Sequence, residues 1–358
     1  MLWRSSVLLA LAALAAPRLA AQTIVGQVVD AVTSAPVGEG FVVLLDERGR
    51  EVARGLTGVD GRFVLRAPGP GRYRLRSERI GFTAFVAPPI TLEQNQQLTQ
   101  RLAITEVGVE LAPIVVSVRS RCRPRPDREE GTSAVWDEVR KALAASSWVA
   151  GQGHYQYTAV NYRRQWDASR TRLDLDDSDT LVGMGQTAFR SVPATQLAAR
   201  GYIVREADSV AYYGPDADIL QDSSFLASHC FWLVRRSWQG DRQIGLSFEP
   251  EPGGRMADVR GVLWLDERSA ELRTLEFSYT RVPEGVRDSR IGGTVEFVRL
   301  PSGGWIVQRW QIRMPRLVWR TAGLIGRPER DAVLRGFRDR GGEVLQIRAA
   351  DGTAVYPP

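Results

Sequence analysis

Between residues 24 and 86, apolar side chains recur with a period of two, and turn residues interrupt them before any run grows long. Phe63, Leu65, Tyr73 and Leu75 alternate with Arg62, Val64, Arg72, Arg74 and Arg76. Successive side chains of an extended chain point to opposite faces, so this alternation calls for strands with one face toward a core. Asp60-Gly61 and Pro70-Gly71 supply the positive or preset φ that tight reversals need. The strands recur at the spacing of about 8 to 12 residues that marks an all-β sandwich.

The same stretch carries an ordered set of short motifs: Val25-Gly26-Gln27-Val28-Val29-Asp30, Thr33, Pro36-Val37, the apolar run Phe41 to Leu45, Thr57, Asp60-Gly61-Arg62-Phe63-Val64-Leu65, Pro70-Gly71-Arg72-Tyr73-Arg74-Leu75 and Ile80-Gly81-Phe82. In this order they resemble the carboxypeptidase regulatory-like, transthyretin-like domain of bacterial envelope proteins. The resemblance covers roughly residues 23 to 103 and implies a seven-stranded β-sandwich. It implies no reaction, because such domains stand beside peptidases, at the front of TonB-dependent receptors, and alone.

The segment ahead of the sandwich reads as a secretory signal, residues 1–21. Arg4 is a charged n-region, Val7 to Ala16 is an apolar stretch too short to span a bilayer, and Leu19-Ala20-Ala21 offers small residues for cleavage between Ala21 and Gln22. No cysteine follows at a lipidation position, and no later stretch approaches about 18 uncharged apolar residues. The expectation is an exported protein without a transmembrane span, placed in the periplasm, at the outer membrane or outside the cell.

A formal charge of +6 invites a nucleic-acid reading. Lys141 is the only lysine among 47 basic residues, and the arginines are dispersed among 41 acids. No nucleic-acid-binding motif accompanies them, so the charge reads as a solvated surface.

Residues 22–103 are the expected sandwich and 104–130 a linker. Leu111 to Arg119 resembles the segment that joins this module to the plug of TonB-dependent receptors. The remaining residues, about 240, cannot supply a plug and a large barrel at about 10 residues per strand plus loops. Arg119-Ser120-Arg121-Cys122-Arg123-Pro124-Arg125-Pro126 is a proline-broken basic run, read as exposed linker.

Residues 131–358 form the second expected domain. A helix over 132 to 147 begins at Thr132 or Ser133 and shows one face through Val135, Val139, Ala142, Leu143 and Ser146. Strands then follow at Gly151 to Trp166, Val259 to Leu265, Leu272 to Arg281, Ile291 to Leu300 and Trp305 to Leu317, with turns at 266–270 and 301–304. Gly261-Val262-Leu263-Trp264-Leu265-Asp266 followed by Glu271 to Phe277 is similar to the sheet of periplasmic lipoprotein-carrier proteins, over about 60 residues. The fold class is therefore mainly β: a sandwich followed by a curved antiparallel sheet or half-barrel with one packed helix. A lipid-exposed barrel is disfavoured, since Glu296, Arg299, Arg309 and Arg313 put charge on both faces of the strands and Val355-Tyr356-Pro357-Pro358 is a poor last strand.

Signatures of chemistry are sparse. His154 and His229 begin no metal-binding motif, and Ser247 lacks the second glycine of a nucleophile elbow. Asp174, Asp176, Asp177 and Asp179 lack the glycine and distal glutamate of a calcium loop and read as a solvated turn. No residue takes a catalytic, cofactor-binding or metal-ligating role. Cys122 and Cys230, in an exported chain, are expected to form a disulfide across about 107 intervening residues. Trp232, Trp264, Trp305 and Trp310 are the candidates for a ligand surface, because a sheet of six or more strands presents more apolar face than one helix covers. The expected role is a non-catalytic envelope module that binds or scaffolds. Its sandwich would dock, and its second domain would accept an envelope protein, a glycan or a lipid-like ligand; carbohydrate binding and a hydrolase with a spatially assembled carboxylate pair are the alternatives.

Overall fold

The computed structural model describes residues 22–105, 108, 109, 111, 130–152, 155–184, 189–205, 210–238, 240–282, 291–322, 329–349 and 351–357. Residues 1–21, read above as a signal, and His154 and Cys122 lie outside them.

The first part is a β-sandwich. One sheet has the order β4 (Arg62–Ala67), β1 (Gln22–Asp30), β8 (Gln97–Ile104), with β8 parallel to β1. The other runs β3 (Glu51–Leu56), β2 (Phe41–Leu45), β5 (Gly71–Glu78), β6 (Phe85–Val86), and β7 (Ile90–Leu92) adds to β5. The strands number eight rather than the expected seven, the extra one being the two-residue β6. The period-two pattern is realised in burial: Phe63, Leu65, Tyr73 and Leu75 enter the core with Ile24, Val42 and Leu44, while Arg62, Val64 and Arg72 stay outside. β2 is buried along its whole length because its other face looks toward the second domain, where Phe41 joins the main core.

The second part is an open antiparallel sheet of ten strands. From edge to edge it runs β10 (Leu173–Met184), β9 (Tyr155–Asp167), β19 (Glu329–Ala349), β18 (Trp305–Ala322), β17 (Gly292–Arg299), β16 (Leu272–Tyr279), β15 (Val259–Asp266), β14 (Asp241–Pro250), β13 (His229–Trp238). β20 (Ala354–Tyr356) pairs with β19, so the terminal Val355-Tyr356 does form a strand. Helix α1 (Glu130–Gln152) is longer than the expected 132–147. It takes in the residues read as the start of a strand at Gly151 because Trp148 and Val149 both find apolar neighbours.

Three short helices add to the single one expected: α2 (Ala194–Arg200), α3 (Ala217–Gln221) and α4 (Ser223–Ser228). α3 and α4 are capped by Asp216 and Asp222, whose carboxylates accept from Ile219 N and Ser224 N. With the hairpin of β11 (Ile203–Arg205) and β12 (Val210–Tyr212) they complete a layer over the concave side of the sheet. Leu197, Ile219, Leu220 and Phe225 of this layer share one core with Val135, Val139 and Leu143 of α1 and with Leu233, Leu246, Leu263 and Leu275 of the sheet. Much of the apolar excess of the sheet is thus covered by the chain itself.

The two parts are joined by a buried polar clamp. Glu78, 2% exposed, meets Arg54 Nη1 at 3.0 Å, Arg76 Nη2 at 2.7 Å and Arg140 Nη2 of α1 at 3.1 Å. Lys141 lies one residue further along α1 and donates to Glu138 Oε1 at 2.5 Å, Phe82 O at 2.7 Å and Arg79 O at 3.3 Å, while Gly81 N donates to Glu138 Oε2 at 2.8 Å. An ammonium offers three donors from one point, which suits a turn whose carbonyls converge. Arg299 Nη2 reaches Glu39 Oε2 at 2.6 Å. Trp148 stacks edge-on against Phe41 and donates to Arg54 O at 3.1 Å. The turn at 301–304 also touches the sandwich: Gly303 has φ +84°, and a Cβ there would fall 2.5 Å from the backbone of Glu39. Only about 10 Å³ of space is left in this cleft, room for roughly one water, so the junction is a seal and not a ligand site.

Candidate functional site

Cross-strand register decides which side chains share a face. Trp232 stands opposite Ser247, which stands opposite Val262, whereas the adjacent row Leu233, Leu246, Leu263 and Leu275 is buried in the core. Trp232 and Trp264 therefore face away from the helices. Trp264 is held there by Arg236, 4.0 Å over its ring, and donates to Glu276 Oε2 at 3.2 Å. Trp305 and Trp310 lie on the helix side. Trp305 is fully buried beside the domain junction, and Trp310 is half-buried against Phe189 at 5.3 Å between ring centroids. The four tryptophans do not line one surface: alternation sends two of them to each side of the sheet.

The concave side keeps a hollow after α1 and α3 have covered it. Its floor is Val295 and Phe297 of β17 and Val307 of β18, with Phe189 beside them. Ser146, Ser147 and Ala150 of α1, Arg190, and Asp216 with Asp218 at the start of α3 form its rim. The volume is about 300 Å³, at the lower end of small-molecule sites. Asp216 is buried there and accepts from Ser191 N at 2.7 Å and Ile219 N at 3.0 Å. Burial pushes its carboxyl above the ordinary range, and the two amide donors offset only part of that. Ser147 Oγ donates to Asp218 Oδ1 at 2.8 Å across the mouth.

Beyond the Phe189–Trp310 pair the same face continues onto β19, β9 and β10. Three cross-strand rows define it: Val295, Trp310, Gly342, Asn161, Asp179; then Ile312, Arg340, Arg163, Asp177; then Met314, Arg338, Gln165, Leu175. The second and third rows pass from apolar to polar between β18 and β19, and the first does so one strand later, at Asn161 of β9. Two grooves follow these rows, of about 320 Å³ next to Trp310 and about 530 Å³ among Arg163, Arg338 and Arg340. The aspartates read as a solvated turn are in strand β10, where Asp176 and Asp177 pair across to Arg164 and Arg163, and Asp174 meets Arg172 and Arg316. β10 is an edge strand, and its charges discourage pairing with another chain.

Ser247 is buried in β14 and donates to Gly261 O at 3.3 Å. His229, 1% exposed, stacks on Phe225 at 3.9 Å, with Nδ1 3.0 Å from Phe225 O and Nε2 3.2 Å from Val259 O. Ser228 Oγ also lies 3.1 Å from Nδ1 and Asp258 Oδ1 3.4 Å from Nε2, so the ring nitrogens are occupied by near neighbours inside the core. Among the described residues no three His, Cys, Asp or Glu side chains gather as a metal site, and no helix is long and apolar enough to cross a membrane.

Sequence reasoning did not single out Phe189, Asp216, Asn161, Arg338 or Arg340. Asp216 carried a signal, a capping aspartate three residues before apolar Ile219. The others acquire meaning only from register.

The fold thus defines a mainly β protein in which a small sandwich is sealed onto a larger curved sheet with a concave hollow. Residues 23–105 match the carboxypeptidase regulatory-like domain. No curated protein matches the chain. Among solved structures it is similar to a candidate carbohydrate-binding protein from Bacteroides uniformis, at 10% identity over 73% of this chain and 99% of the other, with a TM-score of 0.21. A DUF1329 family protein from Desulfovibrio piger matches at 10% identity over 60% of this chain and 93% of the other, with a TM-score of 0.27. Scores at this level carry no inference about ligand or activity.

Proposed function

We propose that this chain is an exported, non-catalytic binding protein that takes its ligand along the concave face of the curved sheet, with the sandwich fixed to it as a support. The observation that carries this reading is the hollow itself: after the helical layer has closed over the sheet, Val295, Phe297 and Val307 still floor about 300 Å³ of open space. Its lining favours a glycan over an acyl chain. A sugar ring has an apolar face for Phe189 and the Val295, Phe297 and Val307 floor, and hydroxyls for the serines and aspartates of the rim. An acyl chain would bury the Asp216 carboxylate further with nothing to donate to it.

Ala150→Trp tests the site, because Ala150 lines the hollow from an incompletely buried position on α1. The expected result on an array of defined oligosaccharides is binding by the unmodified protein and at least about a tenfold loss in the variant, roughly 1.4 kcal/mol. Its unfolding midpoint should change little. Equal binding by both proteins, or binding only to neutral phospholipid vesicles, would remove the glycan reading of this hollow.

A further inference from the structure

We infer that the groove on β19, β9 and β10 recognises the anionic group of an acidic glycan; this rests on the concave-face reading above. Arg340 stands directly opposite Arg163 on the neighbouring strand, and Arg338 is two residues away on the same face. Like charges placed directly opposite across a sheet are destabilising. Arg163 is matched by Asp177, but Arg338 and Arg340 are exposed and form no ion pair among the described residues. Other exposed arginines, Arg66, Arg72 and Arg101 among them, also lack an ion pair among the described residues; Arg338 and Arg340 differ in standing beside Arg163 in one groove, where like charges are gathered against the local rule.

Donors outnumber free acceptors in the groove. Guanidinium groups only donate, and their planar fork suits the two oxygens of a carboxylate or sulfate. Trp310 Nε1 is buried and has no hydrogen-bond partner among the described residues. It lies over Gly342, where a Cβ would come within 2.6 Å of it and within 2.5 Å of Asn161 Oδ1. The absence of a side chain at 342 thus lets the indole lie over β19, beside Asn161. An apolar ring surface, one orphan donor, an amide and two unpaired guanidinium groups follow one another along one face. That order matches a sugar carrying a carboxylate or a sulfate ester.

The experiment compares uronic-acid oligosaccharides, sulfated oligosaccharides and neutral glucans of equal length by calorimetry, with the full mature chain. The variants are Arg338→Gln, Arg340→Gln and the pair, whose exposed positions leave folding intact. At least one acidic series should bind more tightly than neutral glucan, more weakly as salt is raised, and about tenfold more weakly for each arginine removed, while any neutral binding is unchanged. The two acidic arms identify which anionic group is read. Acidic and neutral chains binding alike, or acidic binding indifferent to both substitutions, overturns the anionic subsite and leaves the concave-face reading intact. Arginine-dependent binding to anionic vesicles but to no oligosaccharide overturns the glycan assignment. Binding of nothing in any arm overturns both.

Discussion

Glu78→Gln is expected to lower the unfolding free energy by about 3 to 5 kcal/mol, the cost of breaking a buried ion pair by removing one partner. The substitution keeps shape and removes charge, so the loss reports electrostatics and not a cavity. It leaves Arg54, whose side chain is 5% exposed, with Glu51 as its one remaining carboxylate partner and its Nη1 facing a neutral amide. Burial alone would raise the Glu78 carboxyl, but the positive charges of Arg54, Arg140 and Arg76 outweigh it and hold the group below its ordinary value of 4.5. A carboxyl lowered on folding stabilises above its unfolded pKa, and that contribution is lost as the pH falls through the folded value. Urea unfolding of the wild type should therefore weaken as the pH drops below about 4.5, and the variant should lack that component. Glu138 works in the opposite sense: burial raises its carboxyl more than Lys141 and Gly81 N lower it, so its contribution improves toward acid. The difference between wild type and Glu78→Gln isolates the Glu78 part. A loss below about 1 kcal/mol at pH 7 would mean that the clamp does not hold the two parts together.

The clamp explains how a module found in many settings is used in this chain. The docking surface of the sandwich, formed by Phe41, Arg54, Glu78 and the turn at 79–82, is spent on α1 of the same chain. In the proposed function, ligand recognition falls to surfaces the sandwich leaves free, among them the concave face.

The sandwich was legible because its strands have one wet and one dry face: in β4 the burial alternates residue by residue as the sequence does. The dry stripe of α1 was legible for the same reason, and Val135, Val139, Ala142, Leu143 and Ser146 are all buried. β10 was not, since both of its faces are solvated and alternation separates nothing. β19 was not singled out, and its Gly341-Gly342 pair, a combination that favours turns, sits in mid-strand beneath Tyr162 and Trp310. The tryptophans could be named but not sorted, because facing depends on register and a shift between Glu296 and Phe297 resets it midway along β17 and β18. The clamp left one trace in the sequence, the only lysine of an arginine-rich chain.

Reduction of a Cys122–Cys230 bridge is expected to cost a comparable amount, about 4 to 5 kcal/mol in the chain-entropy model for a loop of this length. Cys230 is 5% exposed in β13, an edge strand, and Cys122 belongs to the connector outside the described residues. An edge strand has one neighbour and opens at lower cost than a central one. A cross-link there restrains a point where local opening would otherwise begin, and it shortens the span the unfolded chain can explore. Free-thiol titration of denatured, unreduced protein should find no reactive thiol, and two after reduction. The reduced protein should then unfold at markedly lower urea, and Cys122→Ser with Cys230→Ser should reproduce that shift without reductant. Two reactive thiols before reduction would exclude the bridge, and an unchanged midpoint after reduction would show that the connector is held by packing instead.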